Sequence, residues 1–323
     1  MSIDAAVALG CSEEEAKGYL EQLVFSGMLM HTTVSGFDYY QHQRVAHGIC
    51  ESSMNYYMDP AYIPAFMHGI TAQDDVPFPS YYPLPLNADV VAEETVLPYD
   101  DIEGLLNRHE KFAVAPCQCR YLVHLCGDEN LPEIHDTETI IDHICDDGHH
   151  LEKCFVFGEE AEFYLEQGVA RELTRDEMRE MLQRQIDEGC IMQSCYTKYT
   201  EVICSCDDGC GVLAGYQAVD KESSKYANLS HYILNYDPDV CIHCGLCAQR
   251  CPMHAIEMVD DVPTISGVCM RCGQCAYVCP ASARILEAKP EEQIPYLPDD
   301  LLDWANQDCM YRYEKGMWPV KQA

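Results

Sequence analysis

The sequence predicts an α+β chain of several domains: a helix-and-hairpin module first, a Cys-rich helical middle domain next, and a small C-terminal domain built on an internal repeat. Three observations carry this expectation. Capping-box residues at Ser12 and at Thr174 each introduce a helical pattern. Two short β-forming runs flank Ser35-Gly36. One cysteine ladder occurs twice, as Cys241, Cys244, Cys247, Cys251-Pro252 and as Cys269, Cys272, Cys275, Cys279-Pro280, every member recurring at an offset of 28 residues. A chain of 323 residues is several times longer than that repeat needs, so further modules are expected.

Residues 1–55 form the first module. Ser12 and Glu15 make a capping box, Ala16, Leu20, Leu23 and Val24 form one apolar stripe, and Gly27 ends the helix. A shorter helix over 3–9 precedes it. Met28–Thr33 and Phe37–Gln41 are expected to form a β-hairpin. Helix, helix, hairpin is the order of a winged-helix module. Glu13, Glu14, Glu15 and Glu21 face Lys17 alone, and such a surface repels phosphate, so docking or dimerisation is expected in place of DNA binding. Residues 56–100, rich in Pro, Tyr and Asp, are expected to be an extended connector, because dense proline disfavours regular structure.

The middle domain, 101–232, holds cysteines at 117, 119, 126, 145 and 154 and again at 190, 195, 204, 206 and 210. Between the groups lie two helical patterns, about 159–167 ended by Gly168 and about 176–187 ended by Gly189. A helical pair on a short loop would bring the two cysteine groups together. Cys117 and Cys119, in Pro116-Cys117-Gln118-Cys119-Arg120, are then candidates for one site with Cys154, Cys204, Cys206 and Cys210, and Cys126 and Cys145 are further candidates. A third Fe–S cluster, structural zinc and unligated thiols are all open. Arg120 would help a neighbouring thiol ionise. His135, His143, His149 and His150 lie among Asp136, Asp142, Asp146 and Asp147, and are read as a solvated acidic loop. Cys11, Cys50 and Cys309 are isolated and read as buried thiols.

The ladders occupy 233–290. The spacing C-x2-C-x2-C-x3-C-P is one that holds bacterial cubane clusters, the fourth cysteine serving the other cluster. Three thiolates on a tight loop can cap three corners of a cubane, whereas the proline fixes φ and sends the fourth away. Cys241, Cys244, Cys247 and Cys279 are therefore assigned to one [4Fe–4S] cluster, and Cys269, Cys272, Cys275 and Cys251 to another. Zinc sites pair CxxC units across longer gaps. Ala255–Val259 and Val262–Ile265, on either side of Asp260-Asp261, suit a hairpin over the clusters. Residues 233–287 thus resemble the two-cluster bacterial ferredoxins, which implies a pseudo-symmetric β–α–β repeat wrapping two cubanes and one-electron transfer. The tail, 291–323, carries Trp304, Trp318, Tyr296, Tyr311 and Tyr313, typical anchors for docking onto a partner or back onto the chain.

Most of the chain resembles a family of anaerobe iron–sulfur proteins that join a winged-helix-like start, a PCxCR motif, a CxCC-type motif and a two-cluster ferredoxin. By position, Cys117, Cys119, Cys154, Cys204, Cys206 and Cys210 match that family's cysteine-rich motifs. Asp207 stands where the family often has cysteine, and residues 127–152 add nine acids with no Lys or Arg.

A formal charge of −34 argues against nucleic acid and anionic membrane as partners and favours a redox partner with a basic docking face, within a larger complex or as a free encounter, or simply high solubility. No run of about 18 apolar residues exists to span a membrane. With acids at Asp4 and Glu13–Glu15 where a leader would be basic, the cysteines, 21 in all, are expected to be metal ligands and free thiols in a reducing cytoplasm. No flavin, nucleotide or acyl-transfer motif is present, so no catalytic residue is assigned. The expected function is iron–sulfur electron transfer, as relay subunit or carrier for a larger oxidoreductase. The alternatives are an enzyme whose middle-domain cluster binds substrate, and a redox-sensing winged-helix regulator.

Overall fold

Ser12 closes the first helix as its capping box requires: its Oγ accepts from the Glu15 N–H at 3.2 Å, and the Glu15 carboxylate accepts from the Ser12 N–H at 2.9 Å. The computed structural model describes residues 11–25, 29–34, 37–42, 81–84, 102–121, 151–207, 213, 230–294, 296–300, 303, 307, 310, 311 and 314. The expected helix over 3–9, most of the connector, the histidine-rich acidic stretch, Cys50, Cys126, Cys145, Cys210, Cys309 and both tryptophans lie outside the described residues.

In chain order the elements are α1 (Glu13–Phe25), β1 (Leu29–Val34), β2 (Phe37–His42), β3 (Tyr81–Pro83), α2 (Ile102–Arg108), β4 (Phe112–Pro116), β5 (Glu152–Phe157), α3 (Gly158–Glu166) and β6 (Arg171–Leu173). Then come α4 (Arg175–Glu188), β7 (Ile191–Cys195), β8 (Val202–Cys206), β9 (Tyr232–Tyr236), α5 (Leu246–Arg250), β10 (Ile256–Val259), β11 (Val262–Ile265), α6 (Gln274–Tyr277) and β12 (Arg284–Ala288). They fall into two compact units, one drawn from 1–64 and 111–172, the other from 65–110 and 173–323.

In the first unit, β1 and β2 form the expected antiparallel hairpin, and Leu20 of α1 packs on Tyr40 of β2. β4 lies between β5 and β6. β4 and β5 pair antiparallel from Phe112↔Phe157 to Ala115↔Cys154, with a register shift at Pro116. Their runs, FAVAP and EKCFVF, are apolar almost throughout because both faces are covered. Gly158 enters α3 at φ +58°, and its N–H donates to the Lys111 carbonyl at 2.9 Å.

In the second unit, α4 carries the expected caps. Thr174 and Glu177 form the reciprocal capping box, and Gly189 ends the helix in the left-handed region at φ +100°. Arg179 ties α4 to Glu103 of α2 at 2.6 Å. β7 pairs antiparallel with β3 on one side and β8 on the other. The described part of the tail returns to the β7–β8 connection, where Lys198 and Tyr199 donate to the Pro298 and Asp299 carbonyls at 2.9 and 3.0 Å.

Two expectations need correction. The middle segment is not mainly helical, since β4 to β8 all fall within it. Nor do α3 and α4 form a simple helical pair, because β6 lies between them. The physical reason is that Cys154, Cys190, Cys195 and Cys206 are buried strand or strand-edge residues. A buried cysteine packs as a small apolar side chain, so counting these only as ligands conceals the strand runs around them. The Pro-rich connector also contributes a strand: Tyr81–Pro83 pairs at the edge of β7, where a proline's missing N–H is tolerated.

The ladder region is a two-fold repeat in backbone as well as sequence. Each half runs strand, ladder, short helix, strand, and the strands are exchanged: β9 pairs with β12, and β10 with β11. Positive φ recurs at the ladder offset, at His243 and Arg271 (56° and 55°), Gly245 and Gly273 (74° and 84°), and His254 and Ser282 (47° and 50°). Asp260 and Asp261, both at positive φ, make the tight turn of the expected β10–β11 hairpin.

Candidate metal centre

Both ladders reverse the chain through left-handed residues before a short helix. A non-glycine residue in that region costs about 1 kcal/mol, and it persists only where surrounding structure imposes it. Here four such residues, His243, His254, Arg271 and Ser282, sit beside the cysteines. The turns aim backbone donors at sulfur. His243 N–H lies 3.5 Å from the Cys241 Sγ, Ala255 N–H 3.4 Å from the Cys251 Sγ, and Ala283 N–H 3.2 Å from the Cys279 Sγ. Donors to a thiolate favour its charged, ligating form.

The thiols differ in environment. The Tyr236 hydroxyl, and then the His243 N–H, hold the Cys241 thiol below its ordinary value. Burial pushes Cys269 up, Cys272 well up and Cys275 to about 12. Neighbouring thiols add to this, Cys251 acting on Cys269, Cys272 and Cys275 alike. So deeply placed a set ionises only against a strong local positive charge, which a bound metal supplies.

A buried donor points the same way. Arg284 is buried, its Nη2 donates to the Pro263 carbonyl at 2.8 Å, and its guanidinium stacks over Tyr236 at 4.7 Å. Its Nε–H finds no acceptor among the described residues. An orphaned buried donor on a full cation is costly unless an anion arrives, and a thiolate-bound iron–sulfur cluster is one. Its charge favours ionisation of Cys241, Cys269 and Cys275, members of both assigned ligand sets. Among the described residues, no three Cys, His, Asp or Glu side chains converge on a point that a single ion could occupy. The backbone donors at the thiols and the orphaned Arg284 Nε–H are what fit a cluster.

Two more residues place the repeat within its unit. Arg250 and Gln274 each immediately precede an assigned ligand, Cys251 and Cys275. Arg250 donates to the Ile186 and Asp187 carbonyls at 2.7 and 2.5 Å and to Gln274 Oε1 at 3.0 Å. Gln274 Nε2 donates to the Cys190 carbonyl at 2.7 Å and to Ile186 at 3.2 Å, and the Tyr277 hydroxyl donates to Asp187. The C-terminus of α4 is thereby fastened to ladder two through Gln274 and Tyr277 and to the end of ladder one through Arg250. Sequence reasoning missed Arg250, Gln274 and Arg284. A signal existed: cations are scarce in a chain of charge −34, and two of these three residues are arginines close to a ladder.

The middle cysteines are described in two separate groups. In the first unit Cys117 follows β4, its N–H donating to the Leu151 carbonyl at 2.6 Å, and Cys119 lies in the helical turn 118–121. Cys154 stands opposite Ala115 on β5, at the same end of the β4–β5 pair. In the second unit Cys204 and Cys206 share one face of β8, and Gln193 Nε2 lies 3.1 Å from the Cys206 Sγ. The intervening Ser205 points the other way and donates to Gln185 of α4 at 2.9 Å. Cys210, Cys126 and Cys145 lie outside the described residues. The described cysteines are in no disulfide.

With this geometry stands one family match. Residues 234–257 match the 4Fe-4S binding domain. The chain carries an iron–sulfur domain. The match takes in the end of β9, the whole of ladder one and the start of β10, and it ends before ladder two. No curated protein and no solved structure matches the chain. A [4Fe–4S] cluster and an electron-transfer role follow from the domain. Among the described residues no helix is long and apolar enough to cross a membrane.

Proposed function

We propose that this protein is a two-cluster electron carrier of the cytoplasm, a relay subunit or mobile carrier for a larger oxidoreductase. Cys241, Cys244, Cys247 and Cys279 would hold one [4Fe–4S] cluster, and Cys269, Cys272, Cys275 and Cys251 the other. The observation that carries this is the repetition of ladder, turn conformation and donor geometry at one offset, with ladder one inside the matched domain. Cys251 acts electrostatically on Cys269, Cys272 and Cys275, and Cys247 on Cys275, so thiols of the two ladders are close neighbours, as crossed ligand sets require. A bound cubane supplies one-electron chemistry. The chain's own residues do the rest: backbone N–H groups hold the thiolates charged, burial excludes water, and Arg284 offsets negative charge between the ladders. Cys117, Cys119, Cys154, Cys204, Cys206 and Cys210 are proposed to hold a further Fe–S centre, and α1 with its hairpin to serve as a winged-helix-like docking module.

This reading is tested by steady-state assay of the metal-loaded, isolated protein with an artificial donor and candidate acceptors. The expected outcome is reduction by dithionite without turnover of small organic substrates. Turnover abolished by Cys117→Ala or Cys206→Ala, with both ladder clusters retained, would make the protein an enzyme.

A further inference from the structure

The two halves of the repeat carry the same backbone but differ sharply in cover. Val240, Ile242 and Leu246 of ladder one are 46, 62 and 41% exposed. Their counterparts 28 residues on, Val268, Met270 and Gln274, are 8, 2 and 4% exposed. What covers ladder two includes the seam with α4, through Gln274 and Tyr277. On ladder one the seam takes only Arg250, at the ladder's end, and among the described residues no such contact lies over 240–246. Its bare face continues onto the hairpin, because the Asp261 carbonyl sits 2.9 Å from His243 Nδ1 and the Met258 side chain reaches the open side of Gly245. Met258, Val259 and Val262 are exposed there too. Around this apolar centre stand Asp237, Asp239, Glu257, Asp260 and Asp261, all exposed. Arg250 is the only Lys or Arg between residues 237 and 269, and its guanidinium is engaged in the seam.

We propose that the face of ladder one is a docking port for a redox protein whose own contact face is apolar at its centre and basic at its rim. Ladder two is the inward-facing half. The proposal rests on the electron-transfer reading and deepens it by assigning which half meets the partner. The apolar centre matches the desolvated core of a protein interface, where charged residues are depleted, and the acidic rim steers a basic surface into place. A transient redox contact needs only a small patch of this kind.

The test uses the metal-loaded full chain, with a basic, ferric c-type cytochrome as probe. Hydrogen exchange with and without the cytochrome at low salt should show protection over 240–246 and 257–262. In stopped flow, each electron supplied by dithionite should reduce one ferric haem. The triple variant Asp239→Asn, Asp260→Asn, Asp261→Asn, in which asparagine tolerates the left-handed turn, should bind more weakly and react about tenfold more slowly at low salt, the gap closing as salt screens the charges. Ile242→Gln should weaken binding at every salt concentration. Glu180→Gln, on the exposed face of α4, should change neither. A footprint elsewhere, no binding at low salt, or acidic-rim variants that match the parent would overturn the port. So would a wild-type dimer dispersed by Ile242→Gln, which would make the face a self-contact. A chain that dithionite cannot reduce would instead sink the electron-transfer reading, so the two failures are distinct.

Discussion

Replacing Gly189 by alanine sets two costs against each other that a double-mutant cycle can separate. The first is local. Gly189 closes α4 at φ +100°, and alanine in a left-handed C-cap costs about 1 kcal/mol. The second is remote. A Cβ at Gly189 would stand 3.2 Å from both Cζ and Nε of Arg250, closer than ordinary contact, so the guanidinium must give way. That group donates to the Ile186 carbonyl at 2.7 Å and to Asp187 at 2.5 Å, and disturbing a hydrogen bond from a charged donor costs about 1.5–3 kcal/mol. The total expected loss is about 2.5–4 kcal/mol. In an Arg250→Met background the same Gly189→Ala change should cost only its local part, about 1 kcal/mol, leaving a coupling energy of about 1.5–3 kcal/mol. Anaerobic urea unfolding of the metal-loaded protein, followed by far-ultraviolet circular dichroism, measures all four corners. Additive losses would refute the contact between the α4 cap and the ladder.

Cys279→Ala should disturb the cluster held by Cys241, Cys244 and Cys247, although it lies in the second ladder; electron paramagnetic resonance on paired single variants checks this, and loss confined to the cluster of Cys269, Cys272 and Cys275 would contradict the crossed assignment. Arg284→Gln removes a buried cation near both ligand sets and should lower their reduction potentials, since one charge over about 8–10 Å at an effective dielectric constant of about 20 is worth about 2 kcal/mol, on the order of 80 mV. A redox titration showing unchanged or raised potentials would remove Arg284 from that role. His109 is buried against the Thr200 carbonyl at 2.8 Å, and burial holds its pKa below the ordinary value. The unfolded chain therefore binds this proton more readily, so stability is full above about pH 6.5 and falls as pH drops below that value. His109→Gln should flatten the fall in urea midpoint between pH 7 and 5.5; an identical slope would show that His109 does not contribute.

Local signals were legible where one residue's chemistry dictates one backbone state. Ser12 with Glu15, Thr174 with Glu177, Gly189 and the Asp260-Asp261 turn each do in the fold what their side chains allow, and α1, α3, α4 and both hairpins follow. The ladders were legible because metal ligation leaves a spacing that packing does not. The strands of the middle segment were hidden, since a buried strand such as Ile191–Cys195 has no alternation to display and its cysteine invites a ligand reading. The seam was illegible for another reason: the partners of Arg250 and Gln274 are backbone carbonyls more than 60 residues away, and a carbonyl has no sequence signature. The unequal cover of the two ladders follows from that seam, so the repeat alone suggested symmetry.

The central claim is that both ladders hold cubanes. Anaerobic iron, acid-labile sulfide and zinc analysis of the same sample tests it most directly. About 8 irons with matching sulfide are predicted from the two ladders, rising to about 12 if the middle cysteines hold a further cubane. About 4 irons or fewer, with zinc making up the difference, would contradict it.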